Sequence, residues 1–215
     1  MMIKYYIFSI LILLNFSCRS KNQAESSKIS ESKSVKSDSE FLEKKLKLDL
    51  ENSYIKWIGK KITSSHDGIV NIKRGEILME GSRVSSAEIV VDMNTIKNTD
   101  IQNEKSSNSL TSHLKNSDFF NVDSFPTALI IINNSEQISD TKYKFYGDLT
   151  IKGITNSVEF DGDIKKVDDK YSANIILIFD RTLWEIHYGS GKYFANLGDR
   201  MILDDIYLEI SLLTK

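Results

Sequence analysis

The sequence predicts an all-β protein, an eight-stranded antiparallel barrel with a short helical cap between the third and fourth strands. About eight runs of alternating apolar and polar residues are separated by short turn-like segments. No helical run lies between most of these strands, and one long polar segment interrupts the series. Strands that follow one another at regular spacing without intervening helices are typical of up-and-down barrels.

The first half of the chain contains the first three predicted strands. Residues 41–50 open the folded part with leucines that alternate with charged residues, and residues 53–61 form the first long strand. A turn is expected at residues 64–68. Residues 69–79 and 84–93 are the next two strands, and a short loop with one glycine joins them as a hairpin.

A polar segment, residues 94–120, follows the third strand. It is longer than an ordinary hairpin loop, so we expect it to carry a function or a helix of its own. Residues 110–120 predict a short helix in which Leu110, Leu114 and Phe119 share a face. The only proline of the chain follows and ends any helix, because proline lacks a backbone N–H donor.

The central part of the chain predicts a β-hairpin. Residues 127–132 are apolar and rich in isoleucine, and residues 143–151 alternate apolar with polar side chains. The polar residues 133–140 between them are the expected turn. Gly153 then interrupts the alternation, which predicts a bulge or a sharp bend in a curving sheet.

The last three predicted strands follow this hairpin. Residues 156–166 and 170–180 alternate in the same way and are separated by a short acidic turn. Residues 181–199 form an irregular connection rich in aromatic residues and glycine. Residues 201–213 close the set with isoleucine and leucine at nearly every second position.

The N-terminus predicts export and a lipid anchor. Residues 1–17 are interpreted as a signal peptide, because Lys4 supplies a positive charge and the apolar run at residues 5–16 is shorter than the roughly 20 residues of a membrane-spanning helix. The run ends just before Cys18, an arrangement that resembles the lipobox of bacterial lipoproteins and implies lipidation of Cys18. An ordinary secretory signal with an incidental cysteine is the alternative.

Composition sets the domain organisation and excludes some partners. Residues 18–44 begin with the lipidated cysteine and continue as a flexible tether rich in Ser, Lys and Glu, which leaves residues 45–215 for one barrel domain. The net charge of -2 offers no electrostatic reason to expect nucleic acid. Since Cys18 is the only cysteine, no intramolecular disulfide can form.

Several motifs of the folded part occur together in one known family. They are residues 53–57, His66 to Gly68, SHLKNSDFFNVDSFP at 112–126, GDLTIKGIT at 147–155, FDRTLWEIHYGSG at 179–191 and the ending LGDRMILDDIYLEISLL at 197–213. In this order and spacing the motifs resemble the YceI-like family of bacterial envelope proteins, and the ending looks like its lipoprotein branch.

The resemblance implies a lipocalin-like barrel whose bore accepts a long apolar chain, a polyisoprenoid or an isoprenoid quinone. It implies a binding protein, since the family is not known as a catalyst, and therefore no catalytic cofactor. With Cys18 as anchor, the expected location is the bacterial cell envelope, with the domain in the periplasm and the outer membrane favoured over the inner. The expected partners are the lipid and the membrane, and a homodimer is compatible with the sequence.

The candidate ligand-binding residues are large apolar side chains predicted to face the bore or to cover its opening. Alternation does not say which face of a strand is inside, and core packing explains each residue as well as ligand contact does. The cap candidates are Leu114, Phe119 and Phe120, the bore candidates are Phe145, Leu149, Phe160, Ile175, Leu177 and Phe179, and the rim candidates are Trp184 and Tyr188. Tyr193 and Phe194 lie in the same irregular connection and are further candidates for this aromatic rim.

The polar residues give weaker signals. The histidines at positions 66, 113 and 187 are far apart in sequence and lie in no metal-binding motif, so no metal ligand is predicted. Arg181 is interpreted as structural, paired with Asp180 or Asp199, and contact with a lipid head group is its alternative role. The GSG sequence of residues 189–191 lacks the spacing of a nucleophile elbow.

Three function hypotheses follow. The first is a lipid-anchored protein that sequesters, transports or presents an isoprenoid-type lipid. The second is a non-catalytic interaction module of the envelope, with the same barrel filled by its own side chains. An enzyme that uses the histidines and carboxylates is the third.

Overall fold

The computed structural model describes residues 43–215. The predicted signal peptide, the predicted lipidation site Cys18 and almost all of the predicted tether lie outside the described residues. Within the described part, no helix has the length and apolar character needed to cross a membrane.

The described residues form nine β-strands and one α-helix. In chain order these elements are β1 (Glu43–Lys47), β2 (Tyr54–Lys61), β3 (Ser65–Glu80), β4 (Arg83–Asn98), α1 (Glu104–Lys115), β5 (Thr127–Gln137), β6 (Lys142–Ile151), β7 (Ile154–Val167), β8 (Lys170–Asp180) and β9 (Ile202–Leu213). Two short 3-10 helices, Arg181–Trp184 and Gly198–Arg200, lie in the connection between β8 and β9.

Eight strands close into an antiparallel barrel, as predicted. Around the barrel the order is β2, β9, β8, β7, β6, β5, β4 and β3, and β3 pairs again with β2. The helix α1 lies between β4 and β5, the third and fourth strands of the barrel, where the sequence predicts the cap. We call the end of the barrel near α1 the upper end and the opposite end the lower end.

The extra strand β1 completes the lower end of the wall. Both β1 and β2 pair with β3, at residues 76–80 and 65–70, so they lie end to end along it. Leu48, between them, donates its backbone N–H to the carbonyl of Gly75 at 3.0 Å. A Cβ on Gly75 would lie 2.3 Å from Leu48 Cδ1, so only glycine lets the chain pack this closely.

Gly153 lies in a tight turn and not in a bulge within a strand, which corrects the prediction. Ile151 pairs with Ile154, so Lys152 and Gly153 are the whole loop of the β6–β7 hairpin. Both have positive φ, 51° and 75°. Two consecutive residues of positive φ form the hairpin turn that suits the right-handed twist of the flanking strands.

Several element boundaries differ from the prediction. The predicted turn at residues 64–68 is mostly the beginning of β3, and β4 continues through polar residues to Asn98. The helix begins at Glu104 and ends at Lys115, six residues earlier at its start than the predicted 110–120. Likewise β5 extends to Gln137, through part of the predicted polar turn.

Asn98, at the end of β4, fastens the helix to the barrel. Its side-chain amide donates to the backbone carbonyl of Asp67 at 2.9 Å, and its side-chain oxygen accepts from the Ser107 hydroxyl at 3.1 Å. Its backbone N–H donates to the hydroxyl of Thr111 at 3.1 Å. One buried side chain therefore ties β3, β4 and α1 together.

Strand alternation separates the bore from the outer wall. In β8, Ile175, Leu177 and Phe179 are buried, whereas Ile176 and Ile178 are 53% and 50% exposed. All six predicted bore residues are buried, so their predicted inward face is the one the fold uses.

Candidate functional site

The upper end of the barrel is hollow. A cavity of about 300 Å³, the upper cavity, lies beneath α1 and opens at that end. Its wall is almost entirely apolar and combines side chains from seven strands with the helix. The wall residues include Ile55 and Trp57 of β2, Val70 of β3, Val91, Met93 and Ile96 of β4, Ala128 and Ile130 of β5, Leu149 and Ile151 of β6, Phe179 of β8, and Ile206 and Leu208 of β9.

The cap of this cavity consists of α1 and the two phenylalanines that follow it. Leu110 and Leu114 project from one face of the helix, as predicted, and both line the cavity. Phe119 and Phe120 line it from the turn after the helix. Asn103 caps the N-terminus of α1 by accepting the N–H of Ser106 at 3.0 Å.

Three aromatic rings join the cap to the loop that follows β8. The ring of His113 lies edge-on to Phe119 at 4.9 Å and to Tyr188 at 4.6 Å. Phe119 and Tyr188 are 5.3 Å apart. All three side chains line the upper cavity, so this contact closes one side of its opening.

Arg181 holds the same loop from inside. Its guanidinium donates to the carbonyls of Ile186 at 2.7 Å, Tyr188 at 2.9 Å, Ile202 at 3.2 Å and Leu203 at 3.3 Å, and to the carboxylate of Asp204 at 3.4 Å. These bonds use all five N–H donors of a guanidinium.

Arg181 is therefore structural, as predicted, although its acidic partner is Asp204 and not Asp180 or Asp199. Asp180 accepts instead from Thr182 and pairs with Lys192. Because every donor of Arg181 is used within the protein, the arrangement disfavours contact of this residue with a lipid head group.

The opening of the upper cavity carries polar groups that are paired with acids. His66 lines the cavity, and its Nδ1 lies 2.9 Å from Asp100 Oδ2. Asp100 also accepts the backbone N–H of Asp67 at 3.1 Å and a bond from Asn98. Burial raises the pKa of Asp100, but these hydrogen bonds outweigh it and hold the pKa below its usual value.

The lower end of the barrel is largely filled by side chains. A second space there, the lower cavity, has a volume of only about 40 Å³. The rings of Phe145 and Phe160 stack in it with their centroids 5.4 Å apart. Leu46 of β1, Ile164 of β7 and Leu212 of β9 also line it.

The structure separates the predicted ligand-binding residues into three groups. Leu114, Phe119, Phe120, Leu149, Phe179 and Tyr188 line the upper cavity. Phe145, Phe160 and Ile175 line the lower cavity. Leu177 and Trp184 are fully buried and belong to neither lining. Contact of any of these residues with a ligand stays a prediction.

Trp184 acts as a support behind the cavity wall. Its indole N–H donates to the carbonyl of Leu149 at 3.1 Å, and its ring lies edge-on to Phe179 at 5.1 Å. Both partners line the upper cavity. In the predicted aromatic rim, Tyr188 lines the cavity, whereas Tyr193 and Phe194 lie in the exposed loop.

The wall residues on β4 were missed from the sequence. Met93 and Ile96 of this strand line the upper cavity, but the predicted strand ends at Met93, whereas β4 continues to Asn98. The spacing of Val91, Met93 and Ile96 could have indicated the longer strand. The pairing of β4 with β3 is irregular here, so the buried positions change from every second residue to a gap of three.

The indole N–H of Trp57 has a different environment from that of Trp184. Trp57 is buried in the wall of the upper cavity, and its ring packs over Gly68, where a Cβ would lie 2.5 Å from the ring. Within residues 43–215, its Nε1 is the one buried side-chain nitrogen or oxygen without a hydrogen-bond partner.

The histidines do not gather into one centre. His113 Nε2 lies 3.0 Å from Asp118, and His187 stacks on Tyr193 with centroids 3.7 Å apart. Within the described residues, no group of three or more His, Cys, Asp or Glu side chains is placed to hold a metal ion.

Comparisons with solved structures show the same fold. BcnA of Burkholderia cenocepacia is 16% identical, with a TM-score of 0.61 over 78% of this chain and 99% of that one. A polyisoprenoid binding domain from Saccharophagus degradans is 11% identical, with a TM-score of 0.59 over 79% of this chain and 97% of that one. The YceI protein of Campylobacter jejuni is 20% identical, with a TM-score of 0.52 over 68% and 84%.

Curated proteins gave no match in the corresponding sequence search. The family model of the YceI-like domain, in contrast, matches residues 46–213, which is most of the chain and nearly all of the barrel. The chain therefore belongs to the YceI-like domain family.

Proposed function

We propose that this protein binds an isoprenoid-type lipid, a polyisoprenoid or an isoprenoid quinone, in the upper cavity, and that it is a binding protein and not an enzyme. The apolar cavity of about 300 Å³ beneath the cap is the observation that carries the proposal. The description of the Saccharophagus degradans relative as a polyisoprenoid binding domain supports the same ligand class.

The chemistry of the wall suits a hydrocarbon chain. Each buried CH₂ group contributes about 0.8 kcal/mol, so a chain of ten carbons gains about 8 kcal/mol before the cost of ordering it. The polar groups at the opening, Lys61 and His66 among them, would contact a head group. A dry wall with polar groups at one end favours an amphiphile over a fully polar ligand.

The proposal extends to the cell envelope. We propose that Cys18 carries the lipid anchor, that the residues between it and the barrel are the tether, and that the domain works in the periplasm on the outer membrane. In this position the protein would sequester, transport or present its lipid.

The interaction module remains the second candidate because the lower end of the barrel is filled. Phe145 and Phe160 occupy the bore there, and the lower cavity is only about 40 Å³. If the upper cavity binds no ligand, the exposed aromatic side chains of Tyr193 and Phe194 are the surface that would contact a protein partner.

A pair of substitutions on one strand separates the two candidates. Ala128→Trp places an indole in the upper cavity, whereas Leu129→Trp places the same group on the outer face of the next position of β5. We expect Ala128→Trp to weaken binding of farnesol at least about tenfold, and Leu129→Trp to leave it within about twofold. Far-UV circular dichroism and thermal unfolding check that both variants fold. Equal binding by wild type and folded Ala128→Trp would contradict the proposed site.

A further inference from the structure

The upper and lower cavities meet at one buried side chain. Ile130 of β5 lines both of them. Above it the bore is open and about 300 Å³ in volume, and below it only about 40 Å³ is free. The hollow part of the barrel therefore ends near the level of Ile130.

Two phenylalanines fill the bore below this level. We call Phe145 and Phe160, from the adjacent strands β6 and β7, the aromatic floor. Their rings stack at 24° with centroids 5.4 Å apart, and both residues are buried. Gly162 makes room beside the ring of Phe145, because a Cβ at this position would lie 3.1 Å from Phe145 Cε2.

The volume above the floor limits the length of an enclosed chain. An apolar cavity of about 150 Å³ holds one benzene ring, so about 300 Å³ holds roughly twelve carbons. The lower cavity has room for only a few water-sized groups and cannot hold another isoprene unit of five carbons.

The polarity of the two ends sets the direction of the chain. Lys61, His66 and His113 line the upper cavity at its opening, whereas Phe145 and Phe160 of the aromatic floor are apolar. Because a polar head group at the floor would lose its hydrogen bonds, the free end of the hydrocarbon chain enters first.

We propose that the barrel encloses only two to three isoprene units, about 10 to 15 carbons, and that Phe145 and Phe160 set this limit. This inference rests on the proposed function. Carbons beyond the limit lie outside the cavity, so a longer chain gains little affinity. The protein thus selects its lipid by the last units of the chain, those farthest from the head group, and not by total length.

A homologous series of alcohols tests the limit. Geraniol, farnesol and geranylgeraniol have 10, 15 and 20 carbons and the same head group, so only the chain length changes. Binding to the full-length protein, freed of bound lipid, is measured by quenching of tryptophan fluorescence. We expect the Kd to fall at least about tenfold from geraniol to farnesol and to change less than about threefold from farnesol to geranylgeraniol.

Substitution in the floor tests which residues set the limit. Phe160→Ala removes one floor ring and joins the freed space to the lower cavity, so the Kd should fall at least about tenfold from farnesol to geranylgeraniol. Phe160→Leu, which disturbs packing less, should move the limit in the same direction. The control is Phe119→Ala in the cap, which changes the affinity for all three alcohols but does not move the limit.

The outcomes separate the two proposals. If no alcohol binds the folded wild-type protein, the proposed function fails and the length limit fails with it. If the wild-type Kd continues to fall about tenfold or more from farnesol to geranylgeraniol, lipid binding stands and the length limit is wrong. A limit that stays at 15 carbons in both Phe160 variants, with their folds intact, would show that the floor does not set it.

Discussion

The ring of His113 on α1 and the ring of Tyr188 in the loop after β8 lie 4.6 Å apart and almost perpendicular, at 81°. This contact joins two elements that the chain separates by four strands. Both rings line the upper cavity, and Arg181 fixes the loop by bonding the carbonyl of Tyr188. The cap is thus held closed from the helix side and from the loop side.

Loss of this contact should release the ligand faster. Tyr188→Ala removes the ring that touches His113 and Phe119, and since aromatic pairs contribute about 0.5 to 1.5 kcal/mol each, we expect the dissociation rate of farnesol to rise about five- to tenfold. Stopped-flow displacement measures this rate. Tyr193→Ala is the matched control, because Tyr193 lies in the same loop and stacks on His187. Equal acceleration in both variants would contradict the closing role of Tyr188.

The two tryptophans should respond differently to the same substitution. Trp184→Phe removes a hydrogen bond to the carbonyl of Leu149, whereas Trp57→Phe removes an indole N–H that has no partner among the described residues. A neutral hydrogen bond contributes about 1 kcal/mol, so we expect Trp184→Phe to lower the free energy of unfolding by about 1 kcal/mol more than Trp57→Phe. Urea unfolding of both variants measures the difference. A larger loss of unfolding free energy for Trp57→Phe would show that ring packing, and not hydrogen bonding, determines how much each tryptophan stabilises the fold.

Asp100 should contribute stability that depends on pH. Its folded-state pKa is lowered, so the ionised carboxylate stabilises the fold above the unfolded-state pKa of about 3.9, and this contribution is lost as the pH falls through the folded-state value. Asp100→Asn should therefore cost about 1 kcal/mol at pH 7 and much less at pH 3.

Denaturant unfolding of wild type and Asp100→Asn at the two pH values gives this comparison. Asp169→Asn, in the exposed β7–β8 turn, controls for the loss of one negative charge. A stability difference for Asp100→Asn that stays constant between pH 7 and pH 3 would exclude the carboxylate as its cause.

The proposed anchor makes a prediction that does not involve the barrel. Cys18→Ala should yield a folded domain with unchanged farnesol affinity that no longer fractionates with membranes. Cell fractionation followed by a binding assay on the soluble fraction measures both properties. Retention of Cys18→Ala in the membrane fraction would show that the protein is held there by something other than a lipid on this cysteine.

The strands could be predicted because their alternation is local. In β8 and β9, nearly every second residue is apolar, and the buried residues of both strands fall on this period. The strand at position 68 could not be predicted from alternation, because glycine has no side chain to assign to either face. The sequence predicts a turn that includes Gly68, but this residue lies within β3, where the ring of Trp57 occupies the space of a side chain.

The cavity was less predictable than the barrel, because a residue that lines a hollow and a residue that fills a core have the same chemistry. Phe145 and Phe179 were predicted on equal grounds, yet Phe179 lines the upper cavity and Phe145 fills the lower end. The difference depends on neighbours far away in sequence, such as the partner ring of Phe160. The identity of a residue does not indicate whether a second ring will stack on it in the folded protein.

The most direct test of lipid binding is to purify the full-length protein from its own membranes, extract it with organic solvent and identify the extracted molecules by mass spectrometry. The upper cavity predicts an isoprenoid-type lipid in an amount close to one molecule per barrel. A folded protein that yields no apolar molecule and takes up neither a quinone nor a polyprenol when these are offered would contradict lipid binding and favour the interaction module.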